Sequence, residues 1–170
     1  MKRVIIICIM FLILLPVTQT KAKTKRPEPT FEETVETMIR EHKVMLDRLI
    51  AAWEHRQEEI NLLAEVIYWE NWHTDKEHLA AYYTGAVVMN RVKSKAWPNT
   101  VKDVLYQKNP IQYSTTSKFF TKEIPAECYE MARDIYKNGT PDVPANVIFQ
   151  AMRPLGKTWK KVNTDYFCYG

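Results

Sequence analysis

The segment LLAEVIYWENW, Leu62 to Trp72, carries a carboxylate at a position where an apolar residue is expected. At about 100° per residue of an α-helix, three apolar residues share a narrow wedge of one face with Glu70: Leu63, Val66 and Ile67. Glu70 therefore lies near the centre of the predicted apolar stripe. The same geometry predicts that Glu65 points away from it.

A glutamate on an apolar helix stripe has two interpretations. The more common one is structural: the carboxylate pairs with Arg or Lys, or it lies near enough to the helix end to reach water. The functional one is a desolvated acid with a raised pKa, which general acid catalysis near neutral pH requires. The adjacent Tyr68, Trp69 and Trp72 suit a sugar-binding pocket, because flat rings stack on the apolar faces of sugars, and they suit an ordinary core equally well.

The first 22 residues have the pattern of a secretory signal peptide. Lys2 and Arg3 precede a run of 14 apolar residues, and the segment closes on small and polar residues at Ala22. A spanning helix needs about 20 apolar residues, so we expect no stable membrane span after the signal is removed. The protein is therefore predicted to be secreted or associated with the cell wall, and an uncleaved signal would tether it to the membrane.

The following residues divide into a tether and a helical lead-in. Residues 23–29, KTKRPEP, are charged and contain proline without an apolar period. Thr30 and Glu33 have the spacing of a capping box at a helix start. Apolar residues then recur every three or four positions up to Ala52, which predicts an amphipathic helical lead-in over residues 30–57. This helix could pair with a partner helix through residues 31–52 or pack on the following domain.

Residues 58–170 are predicted to form one α+β domain that is mainly helical. In HLAAYYTGAVVMNRVKS, Asn90 lies on the apolar stripe, where a structural amide is its commoner role, and Gly85 permits close helix approach. VKDVLYQ and IPAECYEMARDIYKNG predict two further helices, the second ending at Gly139. NVIFQA and TDYFCY are strand candidates separated by the basic loop RPLGKTWKK, and they predict a small C-terminal β-hairpin.

Charge is unevenly distributed along the chain. Residues 30–79 contain 12 acids and 5 bases, whereas residues 80–170 contain 7 acids and 13 bases. A basic body outside the cell suits anionic wall polymers at least as well as nucleic acid, and a simple solvated surface is the more ordinary explanation. We expect no nucleic-acid partner.

The cysteines and histidines leave a disulfide open and argue against a metal. Cys128 and Cys168 remain after signal removal, and export permits them to form a disulfide that would stabilise the fold by about 3–5 kcal/mol. Two buried thiols are the alternative. His73 and His78 lack the spacing of H-E-x-x-H or C-x-x-C sites, so no metal or cofactor is expected. A Ser-His-Asp elbow and a phosphate-binding loop are also missing, which leaves esterase and nucleotide-binding functions without support.

Several motifs together resemble the SleB/CwlJ-type cell-wall hydrolases, which include spore cortex-lytic enzymes. These are LLAEVIYWE, GAVVMNRVKSKAWPNTVKDVLYQ, QYS, ARD and VIFQ followed by VNTDYF, over about Asn61 to Tyr169. The resemblance implies a lysozyme-like catalytic domain whose single catalytic glutamate, matching Glu70, cleaves the glycan strand of peptidoglycan, commonly as a lytic transglycosylase. It also implies substrate-binding residues on two sides of a cleft: Gln112, Tyr113 and Ser114 on one side, and Phe149, Gln150 and Tyr166 on the other.

Two segments differ from the usual pattern of this family. After its glutamate the family usually continues Ala-x-Gly-Glu, whereas this chain continues NWHT after Glu70. Near the C-terminus the usual Gly-Asn-His-Tyr-Phe is replaced by NTDYF, so Asp165 stands where a histidine is expected. These differences motivate a non-catalytic peptidoglycan-binding protein as an alternative function.

The number of carboxylates near the site separates two catalytic alternatives. A lytic transglycosylase that forms 1,6-anhydro-N-acetylmuramic acid needs only Glu70 as general acid and base. A glycan hydrolase, either muramidase or glucosaminidase, ordinarily uses two carboxylates. Asp75, Asp103 and Asp165 are the available second carboxylates, but each lies in or near a predicted turn, where a solvated acid is the default. The sequence therefore favours the lytic transglycosylase.

Overall fold

The computed structural model describes residues 28–108 and 111–170. The predicted signal peptide, residues 1–22, and residues 23–27 of the predicted tether lie outside the described residues. Within them the chain forms four α-helices, one short 3-10 helix at Ser114–Lys118 and three strands. The helices are α1 (Phe31–Asn71), α2 (Leu79–Lys93), α3 (Val101–Leu105) and α4 (Ala126–Asn138). None of the helices in this part of the chain is long and apolar enough to cross a membrane. The α+β fold class, mainly helical, is confirmed.

Helix α1 contains 41 residues and begins at the predicted capping box. The backbone N–H of Thr30 donates to Glu33 Oε2 at 2.8 Å, and the backbone N–H of Glu33 donates to Thr30 Oγ1 at 3.2 Å. These two bonds satisfy backbone donors that a helix start otherwise leaves unpaired. The described residues up to Val44 belong to one compact unit, and Met45–Gly170 forms the second. The functional features below lie in the second unit.

Helix α2 is the centre of the second unit, because it is buried on both sides. One core cluster joins it to the end of α1 and to α3 and α4, and a second cluster joins its other face to the sheet. At Gly85 an added Cβ would lie 2.7 Å from Ile135 Cδ1 and 3.0 Å from Ile67 Cδ1. The absence of a side chain at Gly85 therefore allows α1 and α4 to approach α2 closely, as the sequence predicted.

The sheet has three antiparallel strands in the order β1-β3-β2. These are β1 (Val147–Ala151), β2 (Thr158–Val162) and β3 (Asp165–Tyr169). The predicted hairpin pairing of the NVIFQA and TDYFCY strands exists as β1 with β3. The basic stretch between them was wrongly predicted to be only a loop, because β2 forms there and makes a hairpin with β3. Its apolar residues Trp159 and Val162, which pack against the α2 cluster, are three positions apart because the register shifts between Thr158 and Lys160, so the stretch lacks the two-residue alternation of a strand.

Cys128 and Cys168 are free and buried, so the structure contains two buried thiols and not the candidate disulfide. Cys128 lies in the helical core cluster. Cys168 lies on β3, where its sulfur is 3.8 Å from Thr158 Oγ1. Each thiol therefore acts as a small apolar side chain within its own packing layer.

Candidate functional site

Glu70 lies in the last turn of α1 and is partly buried. Its Oε1 accepts a hydrogen bond of 2.5 Å from Thr115 Oγ1, from the 3-10 helix. Burial raises the pKa of the Glu70 carboxyl above its ordinary value; the Thr115 hydrogen bond lowers it, the charge of Asp165 raises it and the charge of Lys118 lowers it. Burial is the largest of these effects, so the site favours the protonated acid more than water does.

Asp165, the first residue of β3, supplies a second carboxyl beside Glu70. It is half-buried, and burial also raises its pKa, while hydrogen bonds from Thr164 and Gln150 lower it. The expectation that Asp165 is a solvated turn acid was therefore wrong. Two desolvated carboxyls that lie near one another oppose each other's ionisation, so this site can hold a proton at a pH where an exposed acid has lost it.

The side-chain amide of Asn71 connects the end of α1 to the sheet. Its orientation is fixed by the neighbouring donors and acceptors. In the orientation that satisfies them, its oxygen accepts from Gln150 Nε2 at 2.8 Å and from Thr84 Oγ1 at 2.9 Å, while its nitrogen donates to Asp165 Oδ2 at 3.2 Å. Asn71 is buried, so this network fixes Asp165 relative to the helix that carries Glu70.

Two of the predicted substrate-binding residues have buried polar atoms near these carboxyls. Tyr113 is fully enclosed; burial raises its pKa, the Arg91 charge lowers it, the Glu70 charge raises it and a hydrogen bond with Arg91 lowers it, which places all three groups close together. Within residues 28–108 and 111–170, Gln150 Oε1 is buried without a hydrogen-bond partner, and the Tyr113 hydroxyl is enclosed beside the Arg91 guanidinium. An unpaired buried polar atom costs about 1–3 kcal/mol.

The other four predicted substrate-binding residues have different surroundings. Ser114 is exposed at the start of the 3-10 helix, next to Thr115, and Gln112 precedes Tyr113 on the same segment. Phe149 packs edge-on to Trp97 with ring centroids 6.4 Å apart. Tyr166 lies 4.8 Å from Lys161 Nζ. Because strand residues alternate between faces, Phe149 and Tyr166 lie on the opposite sheet face from their neighbours Gln150 and Asp165.

Trp69 is held beside Glu70 by a buried carboxylate. Glu65 is 1 % exposed, and its Oε2 accepts a hydrogen bond of 2.9 Å from Trp69 Nε1. The prediction that Glu65 points outward was therefore wrong. Lys118 Nζ and Lys122 Nζ lie 5.5 and 4.9 Å from the centre of a Trp69 ring, within cation–π range. Glu65 thus orients an aromatic ring at the edge of the site, and two lysines cover that ring.

Other residues that the sequence singled out have structural roles. Asp75 accepts from the backbone N–H of Leu79 at 2.8 Å and of Ala80 at 3.1 Å, so it caps α2. Asp103 pairs with the N-cap Thr100 of α3. Asn90 donates to two backbone oxygens, each at 3.0 Å. Asn90 is therefore a satisfied structural amide, and Asp165 is the acid that reaches Glu70.

The two histidines considered as metal ligands both contact aromatic rings. His78 stacks on Trp72 with ring centroids 3.7 Å apart, and its Nδ1 lies 2.8 Å from the Trp72 carbonyl oxygen. His73 packs edge-on to Tyr68. In the described part of the chain, no group of three or more His, Cys, Asp or Glu side chains is placed to hold a metal ion.

Comparison with known proteins identifies the family. The family model described as Cell Wall Hydrolase matches residues 76–167, which is more than half of the chain. The chain belongs to the cell wall hydrolase family. The match supports an enzyme that acts on the cell wall and a peptidoglycan-degrading role outside the cytoplasm. No curated protein and no solved structure matches the chain.

The family match in this cell wall hydrolase includes only part of the site that the structure defines. The matched range includes Tyr113, Gln150 and Asp165 but begins six residues after Glu70. The importance of Glu70 therefore rests on its position in the structure: it is partly buried, it is hydrogen-bonded, and it lies beside residues that the family model does match.

Four residues of the site were not found by sequence reasoning. Thr115 follows the QYS motif by one position and could have been found by extending that motif. Asn71 and Lys118 gave no signal, because their partners lie far away in the sequence. Arg91 directly follows Asn90 in the GAVVMNRV motif, and its Nε donates to Ile148 O at 2.7 Å; its burial at 3 % exposure could not be read from a helix pattern.

Proposed function

We propose that this cell wall hydrolase cleaves the glycan strand of peptidoglycan as a lytic transglycosylase, with Glu70 as general acid and base. The observation that carries the proposal is the environment of Glu70: a partly buried carboxyl whose pKa is raised, chiefly by burial. General acid catalysis requires a group that still holds its proton near the working pH.

The reaction would proceed in two proton transfers. Glu70 donates its proton to the glycosidic oxygen as the bond between that oxygen and C1 of N-acetylmuramic acid breaks. The resulting carboxylate then accepts the proton of the C6 hydroxyl of the same sugar, whose oxygen bonds to C1. The products are a 1,6-anhydro-N-acetylmuramic acid end and a free hydroxyl on the leaving sugar, with no water consumed. Because the C6 hydroxyl is already attached, no separate nucleophile has to be positioned.

Two neighbouring groups support this role for Glu70. The hydrogen bond from Thr115 to Oε1 fixes the carboxyl plane. The negative charge of Asp165 opposes ionisation of Glu70, and it would also stabilise positive charge that develops at C1.

Asp165 also favours a second candidate, ordinary glycan hydrolysis. Hydrolases use an acid and a second carboxylate that are about 5–5.5 Å apart when the second carboxylate acts as nucleophile, and about 6.5–9.5 Å apart when it activates water. Asp165 is close enough to Glu70 to raise its pKa, so it is the second carboxylate that this reaction would use. We prefer the transglycosylase because it needs only one carboxyl with a perturbed pKa, whereas the hydrolase needs two carboxyls with opposite roles.

Mass spectrometry of digested peptidoglycan distinguishes these reactions. A lytic transglycosylase leaves anhydro ends that are lighter by one water and resist borohydride reduction, and we expect these products. Reducible N-acetylmuramic acid or N-acetylglucosamine ends would identify a hydrolase and overturn the transglycosylase assignment. Intact strands, under conditions in which the protein sediments with peptidoglycan, would identify the non-catalytic binding protein.

A further inference from the structure

A concave surface lies between α1 and α4, away from Glu70. It is a groove of about 530 Å³, lined by Trp53, Arg56, Ile60, Arg133, Tyr136 and Lys137 among others. Ile60 and Trp53 precede Glu70 by 10 and 17 positions on the same helix, and the helical rise places them about 15 and 25 Å from it along the axis. The groove is therefore separate from the site around Glu70.

Three cations line this groove, and no acid does. Arg56 lies on α1, while Arg133 and Lys137 are four residues apart on α4 and so share one face of that helix. All three side chains are exposed. The one ion pair found within residues 28–108 and 111–170 joins Lys102 to Glu58, so the groove cations have no ion-pair partner there.

Glu59, which precedes Ile60 on α1, does not line the groove. Glu59 is buried at 4 % exposure, and its Oε1 accepts from the backbone N–H of Val101 at 2.9 Å. Its carboxylate thus caps the start of α3. Burial raises the pKa of Tyr136, the charge of Glu59 also raises it, and the charge of Arg56 lowers it, so both Glu59 and Arg56 lie near that ring.

Two aromatic side chains complete the groove. Trp53 is 61 % exposed, and Tyr136 is half-buried against the core. An exposed indole beside exposed guanidinium groups matches a ligand that alternates sugar rings with anionic groups. Arginine binds carboxylates through two parallel hydrogen bonds, which gives such a ligand a defined register.

We propose that this groove is an accessory site that binds the carboxylate-bearing side groups of a peptidoglycan strand. Arg56, Arg133 and Lys137 bind the carboxylates, and Trp53 packs against a sugar ring. The proposal rests on the proposed substrate, peptidoglycan, and it adds that the enzyme holds the polymer at a distance from the bond that it cuts.

Binding to insoluble peptidoglycan tests the proposal directly. A Glu70→Gln background prevents digestion during the measurement, and the walls are first stripped of phosphate polymers by acid. The test variant is the triple substitution Arg56→Gln, Arg133→Gln and Lys137→Gln. The control is Arg40→Gln, Lys43→Gln and Arg48→Gln, which removes the same charges from exposed positions of α1.

We expect the groove variant to bind at least about tenfold more weakly, as the loss of charge-assisted hydrogen bonds implies, and the control to change less than about twofold, as screened surface charges imply. Equal losses in both variants would show general charge attraction and would overturn the site. Unchanged binding in the groove variant would overturn it too.

Two further arms identify the ligand. Amidation of the wall carboxylates should remove the difference between the groove and control variants; a difference that persists would refute carboxylate recognition. Binding that disappears when phosphate polymers are stripped would assign the groove to those polymers and overturn the proposal. With Glu70 intact, the groove variant should cleave short soluble glycan fragments at the normal rate, since these do not reach the groove. If the parent enzyme itself did not cleave these fragments, that result would instead refute the proposed function.

Discussion

Two stretches of α1 have similar sequence patterns and opposite environments. From Met45 to residue 56 every side chain is exposed, and from Glu59 to Tyr68 every residue except Asn61 is buried. Both stretches place apolar residues three and four positions apart and acids between them. The exposed stretch nevertheless leaves five large apolar side chains accessible to solvent: Met45, Leu46, Leu49, Ile50 and Trp53. Periodicity therefore predicts a helix in both places, but it does not predict which face meets solvent.

Because the two stretches differ in burial, an acidic residue has a different role in each. In the exposed stretch a glutamate is solvated, and its removal should have little effect. In the buried stretch and the turn after it, each acid has a specific hydrogen-bond partner, because Glu59 caps α3, Glu65 holds Trp69, and Glu70 accepts from Thr115. Because these carboxylates are buried, they have structural or chemical roles.

The largest expected effect is the loss of activity in Glu70→Gln. The amide keeps the shape and can still accept the Thr115 hydrogen bond, but it cannot transfer a proton, so glycan cleavage should fall about 10²–10⁴-fold. Release of soluble muropeptides measures this, with Glu54→Gln in the exposed stretch as the silent control. Retention of more than a few per cent of activity would move the catalytic role elsewhere.

Glu70→Gln should also leave the fold at least as stable. The folded pKa of Glu70 lies above its ordinary value of 4.5, so its contribution to stability is complete below that value. It is lost as the pH rises through the folded pKa. The neutral amide avoids this loss. Thermal melting at neutral pH measures it, and a markedly lower melting temperature would show that the carboxylate stabilises the fold.

The next effect is on stability and concerns Glu65. Glu65→Ala leaves Trp69 Nε1 without its acceptor and opens a cavity in the core, so unfolding should become easier by about 2–4 kcal/mol. Glu54→Ala should cost less than about 0.5 kcal/mol. Urea denaturation of the two variants measures the contrast. Equal values would remove the distinction between the two stretches of α1.

A smaller effect is expected in the pH profile of Asp165→Asn. Removing this charge lowers the pKa of Glu70, so Glu70 loses its proton at lower pH and the alkaline limb of the activity profile should shift in that direction. Asp47→Asn, an exposed substitution on α1, should leave the profile in place. In a transglycosylase the variant keeps activity at low pH. Complete loss of activity at every pH would instead favour Asp165 as the second carboxylate of a hydrolase.

The smallest effect is expected from reducing agents. Cys128 belongs to the same core cluster that encloses the buried stretch of α1, and burial raises the pKa of its thiol to about 12. Both thiols should therefore resist alkylation in the native protein and react fully after unfolding, and a reductant should not change the melting temperature. Absence of thiols in the unfolded, unreduced protein would demonstrate a disulfide.

The sequence predicted the elements better than their surroundings. The capping box at Thr30, the helices around Gly85 and Gly139, and the pairing of β1 with β3 depend on local chemistry, so local patterns were sufficient. The burial of Glu65 and the position of Asp165 depend on contacts between segments that lie far apart in the chain. A single sequence carries no signal for such contacts. Strand β2 was missed because a register shift between Thr158 and Lys160 interrupts the two-residue alternation that identifies a strand.

The site was predictable only where a pattern was broken or a family motif was present. Glu70 interrupted an apolar stripe, and the QYS and VIFQ motifs indicated Tyr113 and Gln150. Thr115 and Asn71 have ordinary neighbours, and their importance comes from hydrogen bonds that cross between elements. The charge of Asp165 was visible in the sequence, but its desolvation was not.

The position of Glu70 in the final turn of α1 has an electrostatic consequence of its own. The peptide dipoles of a helix sum to about half a negative charge at its C-terminal end, an effect of about 0.3–1 kcal/mol on a nearby ion. No basic residue occupies that last turn, so the backbone itself opposes ionisation of Glu70. Substitution of Asp165 does not remove this field, because it belongs to the main chain. The acid thus remains partly protected even when every neighbouring carboxylate is neutral, and only unwinding the last turn of the helix would abolish that protection.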